Sequence, residues 1–251
     1  MGINDEIREQ QKKLKGKSFK EKWGYFWDYY KTQTLIAILA VVLLGSFIWE
    51  LATAKEDAFS ATLLNAYGND MQSNFQNGFA EYAGIDTNAY GCLIDASSTL
   101  DSHMSSQFDI AVFQRTIAMT QTSDLDVMVG DAASFTCFAK NQMFLDLRQA
   151  LTGEEYARYE PYFYYMDSAV WENDAPSVPD TDSASPADDG SGHADPSLME
   201  APVPVGIYLP DNARLKEFNC YTVTGQTPVL GFVFSSKRLD ASRQFLRYLT
   251  E

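Results

Sequence analysis

Cysteine, histidine and basic residues are all scarce in this sequence. It has three cysteines and two histidines, and 19 lysines and arginines stand against 34 aspartates and glutamates, for a net charge of −15. Cys92, Cys137 and Cys220 are far apart and form no CxxC pair, which argues against a disulfide framework and against a zinc site. We expect buried free thiols. One disulfide stays open as an alternative if the domain lies outside the cytoplasm.

Sequence signatures of catalysis are also missing. The chain has no GxSxG, HExxH, P-loop or GxGxxG motif. His103 and His193 have no cysteine or carboxylate at the spacing of a metal site, and a triad of His103 with some serine and aspartate has no specificity. We therefore expect no catalytic residues, no metal and no cofactor, and a protein that is not an enzyme.

The charge is unevenly distributed along the chain. Residues 1–33 carry eight lysines and arginines and five acidic residues, whereas the remainder carries 11 basic and 29 acidic residues, a net of −18. Nucleic-acid affinity comes largely from basic side chains that neutralise phosphates. The acidic body therefore excludes a nucleic acid as the expected partner.

One long apolar run is present near the N-terminus. Leu35 to Trp49 is uncharged, and polar Thr32 to Thr34 and residues 51–54 extend it to a span of 32–54. About 20 helical residues cross a hydrocarbon core of about 30 Å. We predict a single-pass transmembrane helix at 32–54 that contacts the lipid bilayer through Leu35 to Trp49.

The residues flanking this run predict its orientation. Seven lysines precede it and only Lys55 follows closely, so the positive-inside rule places the leader, 1–31, in the cytoplasm and the body outside. The aromatic stretch 23–30 is typical of a belt at the membrane interface, on a short interfacial helix. A signal peptide cleaved after Ala54 and a buried core helix are the alternatives, but a charged leader of this length is atypical of a signal peptide.

The body, 58–251, shows apolar β-type runs alternating with helical patterns. We predict strands at 59–66, 90–95, 125–129, 203–209 and 229–235, and helices at 70–82, 104–120, 132–147 and 239–249. This alternation predicts an α/β fold with a mostly parallel sheet flanked by helices. The segment 172–202 is acidic and rich in Pro, Ser and Ala, and we predict that it is a disordered insertion in this domain.

The ends of three predicted strands supply the candidate ligand site. In open α/β sheets, ligands bind beyond the carboxyl ends of the strands. Tyr67, Asp95, Ser97, Asp131 and Ser134 follow the first three strands and could line such a site. The alternative is that Asp131 and Ser134 cap a helix and that Asp95 and Ser97 form turns.

Several stretches resemble extracellular solute-binding proteins of the periplasmic-binding-protein type. The resemblance rests on 126–135 (DVMVGDAASF), 138–147 (FAKNQMFLDL), 204–208 (PVGIY) and 242–249 (SRQFLRYL). It implies one lobe or a reduced form of that fold, because the body is short for two lobes. The leader 20–31 and the apolar helix resemble uncharacterised membrane proteins of anaerobic Gram-positive bacteria.

Three functions remain open from the sequence. The first is a membrane-tethered, non-enzymatic domain that binds a small solute or a partner protein in the manner of solute-binding proteins. The second is a structural or assembly subunit of a membrane complex, and the third is an anchored hydrolase. Fold resemblance alone does not decide between them.

Overall fold

The chain divides into two compact units, Met1–Ala54 and Lys55–Glu251. A computed structural model describes residues 18–53, 55–67, 72–170, 195–210, 212–222 and 227–251. Residues 172–194 of the segment predicted to be disordered lie outside the described residues, so their disorder stays a prediction.

Helix α1, Phe19–Thr53, is the described part of the first unit. Its segment Lys31–Trp49 is long and apolar enough to cross a membrane by length and composition, a test that a signal sequence near the N-terminus also passes. Every side chain in this segment except Thr34 is exposed. The helix is therefore a candidate membrane anchor. Over residues 19–31 of the leader it continues without a break, where the sequence predicted a separate short interfacial helix for 23–30.

The second unit is built on a six-stranded sheet with the strand order β2-β1-β3-β6-β5-β4. The strands are β1 Asp57–Leu63, β2 Gly91–Asp95, β3 Val127–Asp131, β4 Phe163–Asp167, β5 Pro202–Tyr208 and β6 Pro228–Phe232. The predicted α/β class is confirmed, with helices flanking the sheet.

The prediction of a mostly parallel sheet is only partly correct. β1 pairs in parallel with β2 and β3, but β6 is antiparallel to both β3 and β5, and β4 is antiparallel to β5. A parallel connection needs a crossover that returns the chain to the other edge of the sheet. Between β5 and β6 the only described helix has five residues, and the chain re-enters the sheet from the edge at which β5 ends.

The helices cover both faces of the sheet. They are α2 Gln72–Ala83, α3 Gln107–Thr122, α4 Ala132–Lys140, α5 Leu147–Ala150, α6 Gly153–Tyr159, α7 Ala213–Glu217 and α8 Leu239–Thr250. Alternate strand residues enter two separate hydrophobic clusters. In the first, the rings of Phe59, Phe79 and Phe245 lie 4.7–5.0 Å apart. β3 and β6 are buried along their whole length, which explains their continuous apolar sequences.

The second cluster is centred on Phe135 of α4. Its ring stacks on Phe144 with centroids 4.2 Å apart. A Cβ added at Gly206 or Gly231 would approach the Phe135 ring to 2.8 Å, so both strands need glycine where they pass beneath the ring.

Several elements differ from those predicted. The helix predicted over 132–147 ends at Lys140, because Phe144 forms an antiparallel bridge with Val233 and the chain there is extended. β4, α5, α6 and α7 were not predicted. The residues of β4, FYYMD, are buried or half-buried, and the sequence shows no clear alternation of apolar and polar residues.

Arg238 and the buried Asp126 form an ion pair at the amino edge of β1 and β3. Arg238 Nε lies 2.8 Å from Asp126 Oδ2, and the Asp126 side chain is fully buried. The same carboxylate accepts hydrogen bonds from Ser60 N at 2.8 Å and Ser236 Oγ at 2.7 Å. This group ties the start of α8 to two central strands.

The two ends of the acidic insertion are held together at the end of β4. Asp167 accepts hydrogen bonds from the backbone N–H groups of Ala169, Glu200 and Ala201 at 2.9–3.1 Å. These bonds lower the pKa of Asp167 below its ordinary value, although slight desolvation opposes them. Residues 195–202, which the sequence placed in the disordered insertion, thus contact the sheet at its β4–β5 edge.

Candidate functional site

The strand order creates one topological switch point in the sheet. The chain passes from β1 to β2 on one side and then from β2 to β3 on the other side of β1. Loops diverge at such a point, and ligands of open α/β proteins bind there beyond the carboxyl ends of the strands. The carboxyl ends of β1 and β3 therefore form the candidate site.

Asn65 occupies this point and joins three loops. Its Nδ2 lies 2.8 Å from Leu100 O, 2.7 Å from Asp131 Oδ2 and 2.9 Å from Ser134 Oγ, while its Oδ1 accepts from Leu100 N at 2.8 Å. Its backbone has φ 56°, a left-handed conformation that asparagine tolerates better than most residues. The sequence pattern placed Asn65 near the end of the first predicted strand, 59–66, and gave no signal that this residue would join the three loops; we call it the hub.

Asp131 and Ser134 are brought together as predicted for neighbours at this edge, and both are buried. Asp131 is the N-cap of α4 and accepts from Ser134 N at 3.0 Å. Ser134 Oγ also donates to Leu100 O at 3.3 Å. The helix-cap alternative therefore describes their geometry, and a role in ligand binding stays a prediction.

Asp95 and Ser97 form a turn of their own, next to the hub. Asp95 accepts from Ser97 N at 2.9 Å, from Ser97 Oγ at 2.6 Å and from Ser98 Oγ at 3.0 Å. Partial burial by itself raises the pKa of Asp95, but these hydrogen bonds outweigh it and lower the pKa below its ordinary value. The loop reaches the hub through its backbone, since Asn65 N donates to Ser98 O at 3.0 Å. Tyr67 is exposed and has φ 50°.

A cavity of about 380 Å³ lies at the same edge, between the end of β5 and the start of β6. This volume is within the range of small-molecule pockets. None of the five predicted residues lines it. Its described lining is Leu209, Pro210, Asn212, Leu215, Lys216, Cys220, Tyr221, Thr222, Thr227 and Pro228.

Tyr221 connects the cavity to the switch point. Its hydroxyl donates to Leu64 O at 2.9 Å and its N–H donates to Ala66 O at 2.8 Å. Tyr221 therefore contacts the loop after β1 on both sides of Asn65. Tyr221 is itself left-handed, with φ 59°. Tyrosine in this conformation is strained, and such strain persists only where the surrounding contacts enforce it.

Asn212 is the most unusual polar residue of the cavity wall. Its Oδ1 accepts from Leu215 N at 2.8 Å and caps α7. Its Nδ2 is buried and has no hydrogen-bond partner among the described residues. Leaving a donor unpaired is costly, and no sequence pattern pointed to this position.

The two titratable groups in the floor of the cavity are held in their neutral forms by burial. Burial raises the pKa of Cys220 to about 11 and that of Tyr221 well above its ordinary value. A buried thiol of this kind is a poor nucleophile. Cys92, Cys137 and Cys220 are all free, and among the described residues no three His, Cys, Asp or Glu side chains are placed to hold a metal ion.

Comparison with protein-family models, with curated proteins and with solved structures gives no match. The resemblance to solute-binding proteins therefore stays an expectation from the sequence.

Proposed function

We propose that this chain is a membrane-anchored, non-enzymatic protein whose α/β domain lies outside the cytoplasm and binds a small solute at the carboxyl edge of its sheet. The apolar segment of α1 supports the anchor, and the lysines that precede it support a cytoplasmic N-terminus. Leu35 to Trp49 would contact the bilayer.

The cavity beside the switch point is the observation that carries the solute-binding part. It lies at the edge where the topology of an open sheet favours a ligand, and its volume suits a small molecule. The strained Tyr221 lies between the cavity and the β1 loop. Strained backbone conformations such as that of Tyr221 are common at ligand-binding sites.

Ligand-dependent stabilisation tests this proposal. The full chain in lipid nanodiscs should unfold at a higher temperature with at least one compound from a panel of metabolites, because a ligand that binds only the folded state stabilises it by mass action. A Thr227→Trp variant, in which the new ring fills the mouth of the cavity, should lose the shift. A panel without any shift would contradict solute binding.

Protease protection in intact membranes tests the topology separately. In sealed cells or right-side-out vesicles, external protease should digest the body and spare the leader. Protection of the body would place it in the cytoplasm and overturn the proposed location.

Assembly with a membrane protein is the second candidate, and α3 is the feature that favours it. Its outward face has one charged residue, Arg115, although the body is strongly acidic, and Phe108 at its start is 61% exposed. Interfaces are depleted in charge and enriched in aromatic residues. A photo-crosslinking residue in place of Phe108 should then capture a defined partner in the membrane, and the same residue in place of exposed Gln121 serves as the control.

A further inference from the structure

The cavity wall has two distinct parts. Its floor consists of the buried residues Leu209, Asn212, Leu215, Cys220, Tyr221 and Pro228, and its rim consists of the exposed residues Pro210, Lys216, Thr222 and Thr227. Five of the six floor residues present hydrocarbon, sulfur or an aromatic ring. The charged side chain of Lys216 and the hydroxyls of Thr222 and Thr227 lie at the mouth, whereas the polar side-chain groups of the floor are the Asn212 amide, the Tyr221 hydroxyl and the Cys220 thiol.

The described floor has no group to neutralise an ion. Cys220 and Tyr221 stay protonated near neutral pH, since burial raises the pKa of each, and Asn212 is an uncharged amide. A charge brought into such surroundings without a partner loses its hydration and gains nothing equivalent. Any charged group of a ligand must therefore stay at the rim.

A ligand rich in hydroxyl groups fits the floor equally poorly. The Tyr221 hydroxyl already donates to Leu64 O, and Asn212 Oδ1 already accepts from Leu215 N. Among the described polar side-chain groups of the floor, Asn212 Nδ2 has no hydrogen bond, so it can serve one or two acceptor atoms of a ligand but not a set of hydroxyls. Several buried hydroxyls would each need a hydrogen-bond partner, and those left without one would oppose binding. Hydrocarbon, in contrast, gains from leaving water.

We propose that the cavity takes the apolar body of a small amphiphilic molecule, such as a single ring or branched hydrocarbon group, whose polar end lies at the rim beside Thr222 and Thr227. This inference rests on the proposed function and narrows it. It disfavours sugars, polyols and zwitterionic amino acids as ligands of this cavity.

Protection of Cys220 tests the ligand class in the full chain. Nanodisc-embedded protein is treated with iodoacetamide at pH 9 in sub-denaturing urea, so that the buried Cys220 reacts through transient opening of the cavity, and modification of each cysteine is followed by peptide mass spectrometry. Cyclohexanol and myo-inositol are the probes, because they share a six-membered carbon ring and differ in the number of hydroxyls. Cyclohexanol at ten times its Kd should slow the modification of Cys220 about tenfold by mass action, and myo-inositol should not slow it.

Two controls locate the effect. Cys92 lies on β2, outside the lining of the cavity, and its modification rate should not change. Thr227→Trp at the rim should abolish the protection of Cys220, whereas Thr122→Trp, at an exposed threonine of α3, should preserve it. If Thr227→Trp loses its helical circular dichroism signal, Thr222→Trp replaces it.

The outcomes separate the two proposals. Protection by myo-inositol or by another polar compound, equal to or greater than that by cyclohexanol, would overturn the ligand class and leave solute binding in place. Cyclohexanol protection that persists in the rim variant would also overturn it. No protection by any compound, together with no thermal shift across the panel, would overturn both.

Discussion

Replacing Asn65 with aspartate should destabilise the domain in a pH-dependent way. The substitution removes the N–H groups that contact Leu100 O and Asp131 Oδ2, and it places a second carboxylate against Asp131 at the present separation of 2.7 Å. Losing the donors costs about 2 kcal/mol. Keeping two carboxylates together, or protonating one at pH 7, adds about 3 kcal/mol.

The sign of the pH dependence follows from the raised pKa that such a pair must have in the folded state. A group whose folded pKa exceeds its unfolded pKa contributes its stability below the unfolded value and loses it as the pH rises through the folded value. Asn65→Asp should therefore be destabilised by about 5 kcal/mol at pH 7 and by about 2 kcal/mol at pH 4.

Two further substitutions at Asn65 separate the hydrogen bonds from the backbone conformation. Both Asn65→Gly and Asn65→Ala leave Leu100 N and Leu100 O without their partner, which costs about 3 kcal/mol. Alanine should cost about 1 kcal/mol more than glycine, because φ is 56° at this position and left-handed backbone disfavours a Cβ.

Pulse proteolysis of the nanodisc-embedded chain in a urea series measures these differences as shifts in the unfolding midpoint. Natural domains are stable by only about 5–15 kcal/mol, so the shifts are large relative to the total. If all three variants stayed within about 0.5 kcal/mol of the natural chain, Asn65 would be an ordinary surface residue and the hub would be refuted.

Three other substitutions test separate parts of the fold. Arg238→Leu should lower the free energy of unfolding by about 4 kcal/mol, because it leaves Asp126 buried without its partner, and adding Asp126→Leu should recover part of the loss in urea titrations. Gly231→Ala should cost about 2 kcal/mol by crowding the rings of Phe144 and Phe135. Gly153→Ala, where a Cβ meets no atom within 4 Å, should be neutral, and equal unfolding midpoints of the two variants in a thermal scan would contradict this. Burial alone raises the pKa of Glu155, but hydrogen bonds from Thr152 and Arg247 outweigh it and lower the pKa, so the stability that Glu155 contributes is present above its unfolded pKa and is lost as the pH falls through its folded pKa. Arg247→Gln should cost about 1 kcal/mol at pH 7 and weaken this loss of stability in acid. Circular dichroism at several pH values measures both effects.

Local sequence patterns predicted the strands and helices that build the β2-β1-β3 part of the sheet. Continuous apolar runs fit β3 and β6 because these strands are buried on both faces, and the amphipathic pattern at the C-terminus fits α8. Strand direction could not be predicted in the same way. It depends on whether the chain crosses over the sheet between β5 and β6, and the apolar pattern of a strand is the same in either direction.

In the candidate site, too, local features were predictable and features that depend on distant segments were not. Strand ends pointed to the edge of the sheet at which the cavity lies and to Asp131 and Ser134, although neither residue lines the cavity. The side chains at its centre, Asn65, Asn212 and Tyr221, are defined by contacts between segments far apart in sequence, such as Tyr221 with Leu64 and Ala66. No local spacing encodes such contacts, so a single sequence could not distinguish these residues from other polar or aromatic residues in loops.

The hydrogen bonds that Asp167 accepts from Ala169, Glu200 and Ala201 make the β4–β5 connection a site where insertions should be tolerated. Because Ser168 N also donates to Ala201 O at 2.9 Å, the sheet closes before the acidic segment begins. The entropy of closing a loop grows only slowly with its length, by about 0.6 kcal/mol for each doubling. The segment between these residues should therefore accept deletion to a short turn, or replacement by a whole reporter domain whose ends lie close together, while the sheet and its carboxyl-edge cavity keep their structure.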